Sequence, residues 1–97
     1  MRLSDKEKKT ILDSIRKIDS SAQVFLHGSR TQPELLGGDI DLLVLSDLMG
    51  IREKAVVLAE IKQNLGDQKI DLKICTHKNK DTDPFVGQIL KNSRPLV

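Results

Sequence analysis

Three aspartates and a small-residue turn are the residues of this chain best suited to chemistry. Asp39 and Asp41 flank Ile40 in a run, Asp39 to Leu45, that reads as a strand. A period of two puts both carboxylates on one face and turns Ile40, Leu42 and Val44 toward a core. Neighbouring carboxylates repel and raise each other's pKa unless positive charge lies between them. Magnesium, or manganese in its place, suits that position, because magnesium takes oxygen ligands and usually binds through one or two carboxylates plus substrate phosphates. Upstream, Gly28-Ser29 follows the apolar run Gln23-Val24-Phe25-Leu26-His27, where a strand ends and the backbone turns closely. A triphosphate suits that space. A third carboxylate comes from Lys69-Ile70-Asp71-Leu72-Lys73-Ile74-Cys75, which alternates with Asp71, Lys73 and Cys75 on one side. If this strand pairs beside the second, Asp71 lies next to Asp39 and Asp41.

A Gly-Ser turn, a spacer, Asp-x-Asp on a strand and a later Asp resembles the nucleotidyltransferase superfamily that includes DNA polymerase beta. The small size resembles its minimal nucleotidyltransferase branch, often encoded beside a helical HEPN-domain partner. Gly28-Ser29-Arg30 and Asp39-Ile40-Asp41-Leu42 carry the match, which covers most of the chain from the first helix to the third strand. The resemblance implies that Gly28, Ser29 and Arg30 bind nucleotide phosphates, that Asp39 and Asp41 hold metal, and that Asp71 completes the metal site or takes the proton of an attacking hydroxyl. It implies magnesium-dependent transfer of a nucleoside monophosphate, with ATP the expected donor, to a hydroxyl on a partner protein, with pyrophosphate leaving. The alternative of a different class is an antitoxin-type module that neutralises a HEPN toxin by binding alone. The spacer departs from the family pattern: Thr31-Gln32-Pro33 stands where Ala-Arg-Gly is common, so one phosphate-clamping Arg, with its planar fork, is missing.

Each residue also has a plainer reading. Gly28-Ser29 can be an ordinary turn and Asp41 a water-facing strand residue, although chance produces the four-residue pattern in only about one chain of this length in a hundred or fewer. Asp71 between two lysines is a commonplace solvent-face residue, and Arg30 can serve a structural ion pair. Lys73 shares the face of Asp71 and reaches either a phosphate or a cross-strand carboxylate. His27 has no second His at a ligand spacing. Cys75, the single cysteine, excludes an intramolecular disulfide and reads as a buried or half-buried thiol rather than a nucleophile.

The elements that must position these groups are helix, strand, strand, helix, strand, helix. Ser4 with Glu7 forms a capping box ahead of the stripe Ile11, Leu12, Ile15, Ile18. Ser46 or Asp47 opens a second helix whose apolar side is Ile51, Ala55, Leu58, Ala59 and Ile61, stopped at Gly66. Asp83-Pro84 starts the last helix, with Phe85, Ile89 and Leu90 apolar, and residues 76–83 read as linker. The expected fold is a single α/β domain over residues 1–97: a small mixed twisted sheet of three or four strands, helices packed on the face away from the carboxylates, and the site at the strand ends.

Composition excludes other classes. Sixteen Lys and Arg against 14 Asp and Glu leave a formal charge of +2, too little for a basic nucleic-acid surface, and Phe25 and Phe85 are the only aromatics, too few for base stacking. No stable nucleic-acid partner is expected. No apolar run reaches membrane-spanning length and the N-terminus lacks a signal-peptide stretch, so the expected location is the cytoplasm. Leu35-Leu36, Phe85, Leu90 and Pro95-Leu96-Val97 supply apolar surface that is expected to meet a partner.

Overall fold

The computed structural model describes residues 3–27, 40–66 and 69–96. Gly28, Ser29, Arg30, Asp39 and the Leu35-Leu36 pair lie outside the described residues. Ser4 caps α1 (Asp5–Arg16) as its sequence predicts: the Glu7 N–H donates to Ser4 Oγ at 3.1 Å and the Ser4 N–H to Glu7 Oε1 at 2.9 Å. β1 (Gln23–His27) and β2 (Ile40–Leu45) follow, then α2 (Ile51–Leu65), β3 (Ile70–Cys75), the single turn α3 (Asn79–Thr82), α4 (Pro84–Lys91) and the two-residue β4 (Arg94–Pro95). The strands form one four-stranded sheet of order β3-β2-β1-β4. β1 is antiparallel to β2 and β4, while β2 and β3 are parallel, so a crossover must join them and α2 provides it. The mixed α/β architecture is the one expected.

Strand alternation sends β2 into two cores. Ile40, Leu42 and Val44 pack with Ile11, Leu12 and Ile15 of α1, Val57 and Ile61 of α2, Val24, Leu26 and Leu72. Leu43 and Leu45 face the other way and join Cys75 and Val86, with Phe25, Ile89 and Leu90 against them. Thus α1 and α2 cover the face away from Asp41, as expected, whereas α4 covers part of the carboxylate face.

Three local expectations need correction. First, α2 begins at Ile51 behind Gly50. Ser46 and Asp47 are engaged elsewhere. The buried Ser46 hydroxyl donates to Asp19 Oδ2 at 2.5 Å, and Asp47 Oδ1 accepts from the His77 N–H at 3.0 Å. Second, Leu58 and Ile61 face the core as expected, but Val57 and Leu65 accompany them, while Ala55 and Ala59 are exposed and Ile51 is 90% exposed. Third, Leu96 is buried in the core rather than offered to a partner, because β4 pairs with β1 and the Leu96 N–H donates to the Val24 carbonyl at 2.7 Å. The C-terminal stop of α2 is as expected. Gly66 takes φ +80°, a left-handed conformation open to glycine and strained for other residues.

Candidate active site

β2 and β3 run in parallel register with Asp41 opposite Asp71, Leu43 opposite Lys73 and Leu45 opposite Cys75. On the other side of β2, the antiparallel register sets His27 opposite Asp41 and Phe25 opposite Leu43. One face of the sheet therefore carries the row His27, Asp41, Asp71, and then the row Phe25, Leu43, Lys73. The first row sits at the C-terminal end of β1 and the N-terminal ends of β2 and β3, with Gly28 following His27 directly in the chain.

Neighbouring strands lie about 4.8 Å apart, which brings the backbones of Asp41 and Asp71 close enough for both carboxylates to meet one ion. Like charges directly opposite each other destabilise a sheet unless neutralised. Two hard oxygen donors side by side on an accessible face fit magnesium, which completes its shell with waters and phosphate oxygens. Among the described residues no three His, Cys, Asp or Glu side chains converge as a metal-binding group, so the first row provides a pair rather than a closed cage. Asp41 is half-buried and Asp71 exposed, so Asp71 is the more open of the two to a second substrate.

The remaining candidates divide. Gly28, Ser29, Arg30 and Asp39, expected to complete the site, lie outside the described residues. Lys73 shares the Asp71 face as expected, yet it makes no ion pair among the described residues; the single pair there joins Lys17 to Glu60. Cys75 is buried, and burial, aided by the nearby Asp83 charge, pushes its thiol pKa up. A thiol so held stays protonated at neutral pH, which agrees with a packing role. The feature missed in the sequence is the cavity of about 470 Å³ at the far end of β3, bounded by the first turn of α2, α3 and α4. Its walls come from four separated segments, so no local spacing could have revealed it. Among the described residues no helix is long and apolar enough to cross a membrane.

The nucleotidyltransferase domain family model matches residues 8–97, nearly the whole chain. No curated protein matches it. The matched span includes Asp41 and Asp71 and the strands that pair them, and nucleotidyl transfer in general is the activity this family supports. The chain belongs to the nucleotidyltransferase domain family.

Proposed function

We propose that this protein transfers AMP from ATP to a hydroxyl on a partner protein, and that it does so at the carboxylate face of the sheet. The observation that carries the reading is the Asp41–Asp71 register across parallel strands, in a chain of the nucleotidyltransferase family. Magnesium or manganese, when bound, supplies the positive charge that neutralises the phosphates. Asp41 and Asp71, with Asp39, hold the ion, and Gly28, Ser29 and Arg30 hold the phosphate tail. Asp71, being exposed, also serves as proton acceptor. The acceptor oxygen bonds to the α-phosphorus and the bond from that phosphorus to the oxygen bridging to the β-phosphate breaks. Pyrophosphate leaves with the bonding electrons, and the hydroxyl proton passes to the Asp71 carboxylate.

A helical HEPN-type protein is the proposed partner, in the manner of a minimal nucleotidyltransferase antitoxin. A second reading, neutralisation by binding alone, draws support from Leu48, Ile51, Val56 and Phe85, all large apolar side chains exposed by more than half. Label transfer separates the two. Incubated with the partner and magnesium, α-labelled ATP should leave label on the partner and γ-labelled ATP should not. Asp71→Asn should reduce labelling by about a hundredfold or more, within the range of general acid-base contributions, while partner affinity changes little. Silencing of the partner by a wild type that never transfers label would overturn the transferase reading in favour of binding alone.

A further inference from the structure

β3 lies at one edge of the sheet and offers six residues there, whereas β4 at the other edge has two. The carbonyls of Lys69 and Cys75 accept from the Ile40 and Ser46 N–H groups at 3.0 and 2.9 Å, so the odd-numbered residues of β3 turn their backbone groups toward β2. Alternation then turns the N–H and C=O of Ile70, Leu72 and Ile74 outward, where no described strand meets them. Leu72 is 1% exposed, so water hardly reaches its outward groups, and an unpaired buried peptide group is costly. Such an edge is a template for another strand.

The side chains of the edge select that strand. With Ile70, Leu72 and Ile74 outward, an antiparallel copy of β3 pairs even-numbered residues with even-numbered ones. Centred on Leu72, the pairing sets Leu72 against Leu72, Ile70 against Ile74, and Asp71 against Lys73 on both sides of the axis. The Asp71–Lys73 pairs fall at non-hydrogen-bonded positions, the closer kind, with Cα atoms about 4.5 Å apart. Sliding the copy by two residues in either direction puts Asp71 against Asp71 or Lys73 against Lys73, and like charges directly opposite are destabilising. Both side chains are exposed, and neither has an ion-pair or hydrogen-bond partner among the described residues.

α2 agrees with the same axis. Lys17 meets Glu60 on the α1 side of the helix, and 3.6 residues per turn put Ala55 and Leu58 on the opposite flank. That flank overhangs the edge: Lys54 lines one hollow with Ile74, and Leu58 and Lys62 line another with Ile70. Leu58, midway between the two lysines, is therefore level with Leu72, midway between the two isoleucines. A two-fold axis through Leu72 brings Leu58 up to its own copy, and exposed Ala55 lets the helices approach. Lys54 and Lys62 carry their charges past this contact on long stems that reach solvent.

We infer that the protein forms a symmetric dimer through the β3 edge, joining two four-stranded sheets into one, and that Lys73 of the second copy stands beside Asp71 in each site. The dimer does not depend on the transferase reading. In that reading the second copy gives each site a cation next to Asp71, whose own chain sets the like charge of Asp41 on its other side.

Sedimentation equilibrium of the intact chain over a concentration series, with amide hydrogen exchange on the same samples, tests the dimer. The wild type should dimerise, and the amides of Ile70, Leu72 and Ile74 should gain protection as concentration rises while those of β1 keep theirs. Asp71→Lys and Lys73→Asp each create two like-charge pairs across the axis, and each should weaken the dimer at least about tenfold. The two substitutions together restore opposite charges and should return the affinity to within about threefold of the wild type. Both positions are exposed, and if a variant does not fold the wild-type exchange pattern decides alone. A monomer throughout the series, a dimer whose edge amides stay unprotected, or charge variants that dimerise like the wild type would overturn the inference. Protection that appears only when another protein is added overturns the assignment to a second copy. Label transfer from α-labelled ATP is scored separately, and its absence from an intact dimer counts against the transferase reading alone.

Discussion

In the proposed reaction the chemistry turns on Asp41 and Asp71, and their charges are the measurable quantity. A ligand that binds only the folded chain at a hundred times its Kd stabilises it by about 2.7 kcal/mol, which raises Tm by roughly 10 to 20 °C in a domain this small. Magnesium with ATP should produce a shift of that order in the wild type and little of it in Asp41→Asn; equal shifts in the two proteins would remove Asp41 from the site. A different residue pair governs stability. Asp19 is buried, and its carboxylate accepts from the Ser46 hydroxyl at 2.5 Å and the Ser21 N–H at 2.9 Å, tying the α1–β1 turn to the end of β2. Asp19→Ala strands those donors and should cost about 1–3 kcal/mol in a chemical denaturation experiment. That Asp41 and Asp71 share a face of the sheet was legible because strand alternation is a local property. The Asp19–Ser46 link was not, because its two partners are remote in sequence and each alone resembles a capping residue.

Among the elements, α2 shows how periodicity can be satisfied twice. Ile51, Ala55, Leu58, Ala59 and Ile61 have helical spacing, but so do Val57, Leu58, Ile61 and Leu65; the two stripes share Leu58 and Ile61, and the parallel β2–β3 pair beneath the helix decides which of them is buried. Leu42→Ala, in the centre of β2 and fully buried, should therefore cost about 2–5 kcal/mol, a large share of a typical total of about 5–15 kcal/mol. Ile51→Ala, on the stripe chosen from spacing alone, should change stability by less than about 0.5 kcal/mol. The contact between α1 and α2 adds a pH dependence. Lys17 hydrogen-bonds to Glu60, which holds the Glu60 carboxyl below its ordinary value of 4.5, with Lys17 raised above 10.5 by the same bond. The Glu60 contribution is present above pH 4.5 and lost as pH falls through the depressed value; the Lys17 contribution is lost as pH rises above 10.5. Thermal melts at acidic pH should show a smaller Tm decline in Glu60→Gln than in the wild type. The effect should be slight and weakened by salt, since both groups meet solvent.

At the scale of the whole molecule, the mixed sheet and the order of its main elements were readable from alternation, the Ser4–Glu7 box and the Gly66 stop. β4 was not, because two residues hold no periodic signal and their partners in β1 lie far away in the sequence, Pro95 opposite Phe25. That pairing removed Leu96 from the expected partner surface and left Phe85 on it, 73% exposed. Phe85→Ser should weaken a complex with the proposed helical partner by about tenfold, measured by calorimetry, and leave Tm within about 3 °C. Unchanged affinity would move the interface off α4. The central claim, that the carboxylate face gathers a divalent ion and the nucleotide between β2 and β3, is tested most directly by manganese added to the isotope-labelled protein with ATP. Paramagnetic broadening should centre on the amides of His27, Asp41 and Asp71 and spare the α1–α2 side of the sheet, and it should disappear from these positions in the Asp41→Asn, Asp71→Asn double variant. Broadening centred elsewhere, or surviving unchanged in that variant, would contradict the assignment of this face as the site of nucleotidyl transfer.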